Sequence, residues 1–142
     1  MARVRARGLR AASARRLVLE ALFAAGRPVA AEEIAGGVEG RVPASDLGSV
    51  YRNLETLERI GVVRHVHPAH GRGLYALARE DSGYATCEHC GEVRAIEAAK
   101  LEPVRSAVRA ALGYEASFGH FPIVGLCSSC ALAAGSRSTP PP

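Results

Sequence analysis

Residues 42–63, VPASDLGSVYRNLETLERIGVV, predict an amphipathic helix that runs into a strand. Ser45 is the expected N-cap and Gly61 the expected end of the helix. The apolar side chains recur every three or four residues and therefore share one face: Leu47, Val50, Leu54, Leu57 and Ile60. The opposite face is polar and carries Ser49, Arg52, Asn53, Thr56 and Arg59. Such a helix packs on a core with one side and presents the other to a partner.

The segments on either side complete a DNA-binding fold. Upstream, residues 13–26 predict a helix that begins at Ser13 and ends at Gly26, and a short helix follows Pro28. Downstream, VVRHVHP (62–68) and GLYALA (73–78) read as two strands joined by a glycine-rich turn. Three helices followed by a hairpin predict a winged helix-turn-helix, with the third helix in the major groove and the hairpin as the wing.

The rest of the chain predicts a smaller α/β domain, so that the expected fold class is α+β. Its elements are strands at Tyr84–Thr86 and Val93–Glu97, a helix from about Leu101 to Leu112 that Gly113 ends, and a last strand over about Tyr114–Leu126. The predicted domains are a DNA-binding domain over 1–78, a hinge over 79–83, a dimerisation and metal-binding domain over 84–134, and a disordered tail over 135–142. Because the second domain is too small to build a sufficient core, we expect a metal staple and a partner chain.

Charge is distributed unevenly between the two predicted domains. Residues 1–78 contain 12 arginines and 7 acidic residues, whereas residues 79–142 contain 6 basic and 7 acidic residues. This asymmetry indicates that the first domain binds a polyanion, most simply double-stranded DNA, although a solvated basic face without a partner is the alternative. No apolar run approaches the ~20 residues of a membrane helix, and no secretory signal is recognisable, so we expect a cytoplasmic protein that does not bind membranes.

The four cysteines form two C-x-x-C pairs, CEHC and CSSC, separated by 36 residues. Each pair can aim two thiolates at one ion, and four thiolates make the closed tetrahedral site of structural zinc. The predicted ligands of one Zn²⁺ per chain are Cys87, Cys90, Cys127 and Cys130. Disulfides are the alternative in an oxidising compartment, and a thioredoxin-like site is less favoured because neither pair is predicted to open a helix inside a βαβ unit. A closed four-ligand site leaves no position for substrate.

On these motifs the chain resembles the ferric uptake regulator (Fur) family of metal-dependent repressors, from about Ser13 to Cys130. SVYRNLETLERIGVV (49–63) is similar to the family's T-V-Y-R-x-L pattern, and CEHCGEV (87–93) with the later C-x-x-C matches its cysteines. RHVHPAHG (64–71) and GHFPIVGLC (119–127) look closest to the nickel-responsive (Nur) branch. The resemblance implies a homodimeric DNA-binding repressor with an N-terminal winged helix, a C-terminal dimerisation domain, a structural zinc and at least one regulatory metal.

The resemblance also implies which residues bind DNA. Tyr51 and Arg52 match helix positions that contact bases, through a thymine methyl and through guanine or phosphate respectively. Arg15 and Arg16 fall where the family has a Gln-Arg pair near the DNA backbone, so Arg15 departs from the pattern. The polar face of the third helix adds Ser49 and Asn53 to the expected contacts. The alternative for Tyr51 is packing beside the core, since it follows Val50.

The regulatory site of the family does not carry over intact. The histidine-rich stretch before the first C-x-x-C is REDSGYAT (79–86) here, and two further family ligand positions hold Pro28 and Ala76. A different ligand set remains, which the spacing of the histidines and the family alignment assemble: His65, His67 and His120, with Glu102 or His70 as a fourth ligand. Imidazole-rich ligation suits zinc, nickel, copper or ferrous iron, and the expected regulatory metal is Zn²⁺, Ni²⁺ or Fe²⁺. The alternative is that His65 and His67 face phosphate or solvent.

The sequence therefore predicts a regulator in which a divalent metal bridges the two domains and favours a dimer that binds a palindromic operator. A Fur-like regulator that has lost metal sensing, or that responds to haem or peroxide, is the alternative. An enzyme is not expected, because the chain lacks an open metal position, a nucleophile–base pair and a phosphate-binding loop. No small organic substrate is expected either. His89, within the first C-x-x-C, is expected to be an exposed turn residue.

Overall fold

The computed structural model describes residues 2–79, 82–118 and 121–137 of the chain, with the backbone alone at 2–11 and 136–137. The elements in chain order are α1 (Ala2–Ala25), α2 (Ala31–Ala35), α3 (Leu47–Arg59), β1 (Val63–Val66), β2 (Leu74–Leu77), β3 (Gly83–Cys87), β4 (Val93–Ile96), α4 (Ala98–Leu112), β5 (Ile123–Gly125) and α5 (Ser128–Arg137). The predicted α+β class is confirmed. No helix among these described ranges is long and apolar enough to cross a bilayer.

The chain divides into two compact units. The first unit comprises Met1–Val66 and Gly73–Ala78, and the second comprises His67–Arg72 and Arg79–Pro142. The loop between β1 and β2 thus groups with the second unit, although the sequence assigned it to the first domain. Within this loop, the Ala69 N–H donates to Thr86 Oγ1 at 3.2 Å, and a ring nitrogen of His70 contacts the Glu88 carbonyl oxygen.

The core of the first unit is built by the three helices and the hairpin. Val18, Ala21 and Leu22 of α1 are spaced i, i+3, i+4 and are buried, as this period requires. Helix α3 contributes Val50, Leu54 and Leu57, each at most 1% exposed. The ends of the predicted apolar face of α3 are not core, because Leu47 is 39% and Ile60 63% exposed. Phe23 of α1 lies outside this core and is 80% exposed.

Two predicted helix starts in the first unit are wrong. Helix α1 begins at Ala2 rather than at Ser13, because the upstream residues are rich in alanine, arginine and leucine, which favour a helix and contain no breaker strong enough to stop it. The N-cap of α3 is Asp46 rather than Ser45, since its carboxylate accepts the Ser49 N–H at 2.8 Å. The predicted ends are confirmed, with Gly26, Gly61 and Gly113 at positive φ after α1, α3 and α4.

The turn between α2 and α3 contains four consecutive residues in the left-handed region. Gly37, Val38, Glu39 and Gly40 have φ of 89°, 50°, 57° and 79°. Val38 is buried, and the Arg41 N–H donates to the Val38 carbonyl at 3.2 Å, while the Val42 N–H donates to Gly37 at 3.1 Å. A β-branched residue in this conformation is strained, so burial of Val38 and these hydrogen bonds compensate for the local cost.

A two-stranded and a three-stranded sheet complete the structure. Strands β1 and β2 pair antiparallel, with Val63 opposite Leu77 and His65 opposite Tyr75. Val29 extends this sheet by an isolated bridge, because it exchanges backbone hydrogen bonds of 2.9 and 2.8 Å with Tyr75. In the second unit the strand order is β4-β3-β5, with β3 antiparallel to β4 and parallel to β5.

The second unit has a small core. Leu101 of α4 is fully buried, and a Cβ built on Gly83 would lie within 2.9 Å of Phe118, so a side chain is sterically excluded there. Several predicted boundaries differ in this unit, and α4 begins at Ala98 rather than at about Leu101. The last strand covers only Ile123–Gly125, and residues 135–137 of the predicted tail belong to α5. Residues 138–142 lie outside the described part of the chain.

Candidate metal centre and nucleic-acid interface

The parallel pairing of β3 and β5 brings the two cysteine pairs to the same edge of the sheet. Cys87 is the last residue of β3 and lies opposite Gly125, so Cys127 follows two residues beyond the pair. The Glu88 N–H donates to the Gly125 carbonyl at 2.8 Å, which fixes this register beyond the strand. In the first pair a tight turn returns the chain toward β4, because the Gly91 N–H donates to the Cys87 carbonyl at 3.0 Å.

The four thiols converge as the spacing predicted. The four Sγ atoms all lie within 4.8 Å of one another, and Cys90 Sγ is 3.9 Å from Cys127 Sγ. Zn–S bonds of about 2.3 Å in a tetrahedron place neighbouring sulfurs about 3.8 Å apart. The donor set and its spacing therefore fit one zinc ion. Among the residues that the structure describes, no other group of three or more histidine, cysteine or acidic side chains converges in this way.

Hydrogen bonds and burial shift the pKa values of three of the four thiols in different directions. The Cys127 N–H donates to Cys87 Sγ at 3.3 Å, and with the N–H of Cys90 it lowers the pKa of Cys87 to about 6. The neighbouring Cys127 thiol and burial raise the pKa of Cys130 to about 12. The N–H of Glu92 lowers the pKa of Cys90, but the Cys87 thiol and burial outweigh it, so this pKa is raised. A bound cation would lower these pKa values, because thiols that coordinate a metal lose their protons.

The second cysteine pair opens helix α5, but among the described residues no strand follows α5, so the pair does not lie inside a βαβ unit. Cys127 immediately precedes α5, and its carbonyl accepts the Ala131 N–H at 2.9 Å, while Cys130 lies in the first turn. A C-x-x-C pair at the start of a helix is also the arrangement of thioredoxin-like redox sites. A redox site needs only the two sulfurs of one pair, whereas a zinc site needs all four. The convergence of both pairs therefore favours the zinc site over the redox site. All four cysteines are free thiols in this structure.

The histidines predicted as regulatory ligands have other neighbours. The ring of His65 stacks on Tyr75 at a centroid distance of 4.7 Å and an interplanar angle of 4°, and it closely covers Gly73. The ring of His67 lies 6.0 Å from that of Phe121. The regulatory site proposed for these residues stays a prediction.

The remaining predicted ligands are placed as follows. His70 contacts the Glu88 carbonyl beside the first cysteine pair, and Glu102 is exposed on α4. His120 lies outside the described residues. His89 is exposed in the turn between Cys87 and Cys90, as predicted.

The predicted DNA-binding residues are mostly accessible. Arg15, Arg16 and Arg52 are exposed, and Ser49 is half-buried near the start of α3. Arg16 forms a 2.8 Å ion pair with Glu20 one turn later, in which the arginine side chain stays 80% exposed. This accessibility leaves their charge available to an anionic partner.

Asn53 was wrongly assigned to the accessible face of α3. It is 8% exposed, and its amide donates to the Ser49 carbonyl at 2.9 Å. At about 100° per residue, Asn53 lies only about 60° around the helix from Val50, at the border of the apolar face. Its side chain is therefore part of the packing of α3 and is not free to contact DNA.

Tyr51 is held by a residue that the sequence did not single out. Its hydroxyl donates to Glu32 Oε1 of α2 at 3.1 Å, and its ring is 43% exposed. Tyr75 lies near this pair, since its pKa is raised by burial and by the charges of Glu58, Tyr51 and Glu32. The 19-residue separation explains why no sequence period could reveal the contact. Since more than half of the surface of Tyr51 is covered, packing beside the core, the alternative prediction, stays a prediction as well.

The sequence of the chain is similar to those of a known protein family. The ferric uptake regulator family matches residues 6–118. A peroxide operon regulator of Bacillus subtilis (strain 168) is 25% identical over 123 residues, which cover 87% of this chain and 85% of that protein. The relative is a regulator and not an enzyme.

Solved structures agree in fold. The Campylobacter jejuni peroxide stress regulator superposes with a TM-score of 0.65 at 23% identity, over 89% of this chain and 96% of that chain. The Helicobacter pylori ferric uptake regulator, in which three functional metal-binding sites are seen, gives a TM-score of 0.63 at 21% identity, over 84% of this chain and 80% of that chain. These likenesses extend through both units of the chain.

Proposed function

The chain belongs to the ferric uptake regulator family, and on this basis we propose that it is a metal-responsive repressor of transcription that binds a palindromic operator as a homodimer. Regulators of this family are repressors that bind DNA and metal. The observation that carries the proposal is the family match over residues 6–118 in a chain whose four thiols also converge. The protein would act in the cytoplasm, where its DNA lies.

We propose that the first unit is a winged helix-turn-helix. Its three helices and hairpin occur in the required order, and α3 presents an exposed arginine and a partly exposed tyrosine. In this proposal Tyr51 and Arg52 contact base edges, Ser49 contacts the backbone, and Arg15 and Arg16 contact phosphate. Asn53 has no place in this interface because it is buried.

The proposed dimer uses the second unit. This unit exposes an unusual set of large apolar side chains for its size: Val104, Leu112, Tyr114, Phe121, Val124, Leu126 and Leu132. Exposed large apolar side chains in this number favour an interface that covers some of them. A two-fold dimer would cover this surface and would set two copies of α3 one turn of DNA apart, which accounts for a palindromic operator.

Two metals are proposed. One Zn²⁺ per chain would be held by the four cysteines and would be structural, because four protein ligands close the site. The regulatory metal would be Zn²⁺, Ni²⁺ or Fe²⁺, held by His65, His67 and His120, with Glu102 or His70 as a fourth ligand. The histidine-containing segments at 64–71 and 119–127 favour the nickel-responsive branch. For regulation, this metal must bind the DNA-competent conformation more tightly than the other.

A response to peroxide is the second candidate. It is favoured by the relative named a peroxide operon regulator and by the solved peroxide stress regulator. The stretch before Cys87, where the family carries histidines, has none here. A peroxide response would therefore require other oxidisable ligands, or the regulator would have lost metal sensing.

Metal titration tests the proposal. Chelator-treated dimer, with its residual zinc counted, is titrated with Zn²⁺, Ni²⁺ and Fe²⁺ while binding to a duplex selected in vitro is measured by anisotropy. We expect one retained zinc per chain and DNA affinity that depends on one added metal. The variant His65→Ala should lose this dependence, whereas His89→Gln, which alters an exposed histidine outside the proposed site, should keep it.

The outcomes separate the candidates. If DNA binding were independent of every metal, metal sensing would be wrong. If hydrogen peroxide released the metal-loaded protein from DNA, the second candidate would replace the first. If His65→Ala and His120→Ala retained full metal dependence, the proposed ligand set would be wrong even though the repressor function stood.

A further inference from the structure

We infer that Glu32 is a specificity-determining residue for DNA recognition, which it serves by orienting Tyr51. The inference rests on the proposed DNA-binding function. Glu32 lies on α2, outside the residues expected to contact DNA, but its carboxylate accepts the Tyr51 hydroxyl at 3.1 Å. It thereby fixes a half-exposed aromatic ring on the helix that is proposed to enter the major groove.

The support for Glu32 is rigid. Ala31 and Ile34, on either side of it in the short helix α2, are both 1% exposed and anchor α2 in the core. Two residues before α2, Val29 exchanges two backbone hydrogen bonds with Tyr75. The backbone that carries Glu32 is therefore fixed both by packing and by the sheet, so its carboxylate can restrict the tyrosine ring.

The chemistry of this pair favours discrimination over affinity. An ionised carboxylate is a strong acceptor for a phenol, and a bond to it leaves the ring edge free to meet a thymine methyl. The same negative charge repels phosphates at every sequence alike. Glu32 should therefore weaken binding to all DNA while it favours sites where the oriented ring finds its base, which raises the ratio of specific to non-specific affinity.

The adjacent residue provides a matched control. Glu33 carries the same charge one position along α2, but its carboxylate pairs with Arg27 at 3.0 Å. Glu33→Ala thus removes one negative charge from α2 without touching the Tyr51 hydroxyl. Any effect of general charge should appear in both alanine variants, and an effect of ring orientation should appear only at Glu32.

The experiment compares two duplexes of equal length. One is selected in vitro with the metal-loaded wild-type dimer, and the other is its scrambled sequence. The dissociation constants of wild type, Glu32→Ala, Glu32→Gln, Glu33→Ala, Tyr51→Phe and the double variant Glu32→Ala/Tyr51→Phe are measured at several salt concentrations. Circular dichroism verifies that each variant is folded.

We expect both alanine variants to bind the scrambled duplex somewhat more tightly, with an effect that salt screens. Glu32→Ala should lower the specificity ratio about fivefold, a typical loss for one hydrogen bond. Glu33→Ala should leave the ratio unchanged, and Glu32→Gln should restore it in part because an amide oxygen still accepts the hydroxyl. Tyr51→Phe and the double variant should show the same loss as Glu32→Ala.

Three results would overturn the inference and leave the proposed function intact, and two of them are a wild-type specificity ratio in Glu32→Ala and losses that add in the double variant. If wild type bound neither duplex, the proposed function would fail and the inference with it. Equal loss of specificity in Glu33→Ala would assign the effect to charge and would also overturn the role of ring orientation.

Discussion

The two units of the chain differ in how much of their apolar surface they bury. Among the described residues, the first unit contains thirteen buried hydrophobic side chains and five exposed large ones. The second unit contains three buried and seven exposed. A domain of this size with so little buried apolar surface rarely folds on hydrophobic burial alone. The first unit is therefore stabilised from within, whereas the second requires further sources of stability.

This difference explains why the four thiols and the exposed apolar side chains occur in the same unit. The proposed zinc would crosslink the end of β3 to the start of α5, which are forty residues apart in the sequence. A partner chain would add the buried area that the unit lacks. The first unit is then free to use its surface for recognition, because its stability does not depend on covering that surface.

Replacing Cys87 should have the largest effect on the stability of the second unit relative to the first. In Cys87→Ser the buried ligand at the end of β3 is lost, and we expect zinc release and unfolding of the second unit, because metal binding in small zinc-stapled domains is worth roughly 10 kcal/mol. Hydrogen exchange read by mass spectrometry should show lost protection from β3 to α5 and unchanged protection in α1 to α3. A replacement of exposed Ser129, between the second pair, by alanine serves as the control. Retention of zinc and protection in Cys87→Ser would refute the staple.

A charge placed on the apolar surface of the second unit should have the next largest effect. Val124 lies in the middle of β5, at the edge of the three-stranded sheet, and is 52% exposed. If the dimer covers it, Val124→Glu buries an unpaired charge at a cost of about 3–5 kcal/mol, a loss of at least about 100-fold in dimer affinity. Sedimentation should then show monomers at concentrations where wild type is dimeric.

The control for this charge lies in the other unit. Phe23 is 80% exposed on α1, so Phe23→Glu adds the same charge outside the proposed interface and should leave the dimer intact. If Val124→Glu sedimented as wild type, the proposed interface would have to lie elsewhere on the unit.

How far the sequence could predict these features depends on the range of the interactions. Helix α3 and its glycine end could be predicted from the local apolar period and turn chemistry, and the convergence of the thiols from the cysteine spacing. The structure confirms these three predictions. The N-cap was wrong by one residue because Ser45 and Asp46 are both good caps, and only the hydrogen bond to Ser49 chooses between them.

Features that depend on contacts between distant elements could not be predicted. The burial of Asn53 follows from how α3 sits on the core, and the bond from Tyr51 to Glu32 joins two helices. The stacking of His65 on Tyr75 depends on the register of β1 and β2. Histidine spacing alone carries no information on that register, and for this reason the regulatory site was less predictable than the cysteine site.

A pair of leucines can sharpen the comparison at the level of single side chains. Leu54 and Leu101 are both fully buried, one in each unit. Leu54→Ala should destabilise the first unit by about 2–5 kcal/mol with or without zinc, because its core does not involve the metal. Leu101→Ala should leave the second unit folded in the zinc-loaded protein, but this unit should unfold at a lower chelator concentration than in the wild type. Urea unfolding with region-resolved hydrogen exchange measures both, and equal zinc dependence of the two variants would contradict the division.

The smallest effects should come from two backbone positions with opposite signs. Glu39, exposed in the turn before α3, has φ of 57°, whereas Gly113 after α4 has φ of 69° with open space around its Cα. Glu39→Gly should relieve left-handed strain and stabilise the first unit by about 0.5–1 kcal/mol, net of the entropy that glycine loses on folding. Gly113→Ala should introduce the same strain and destabilise the second unit by about 1 kcal/mol. The side chain of Glu39 is exposed, and a Cβ at position 113 would meet no other atom within 4 Å. Any change in stability measured by urea unfolding therefore reports backbone conformation. We expect Glu39→Gly to raise the stability of the first unit only. We expect zinc to mask most of the stability that Gly113→Ala removes from the second unit. These two results together would show that the units respond separately to equal backbone strain. A loss on Glu39→Gly would mean that the turn is not left-handed in solution.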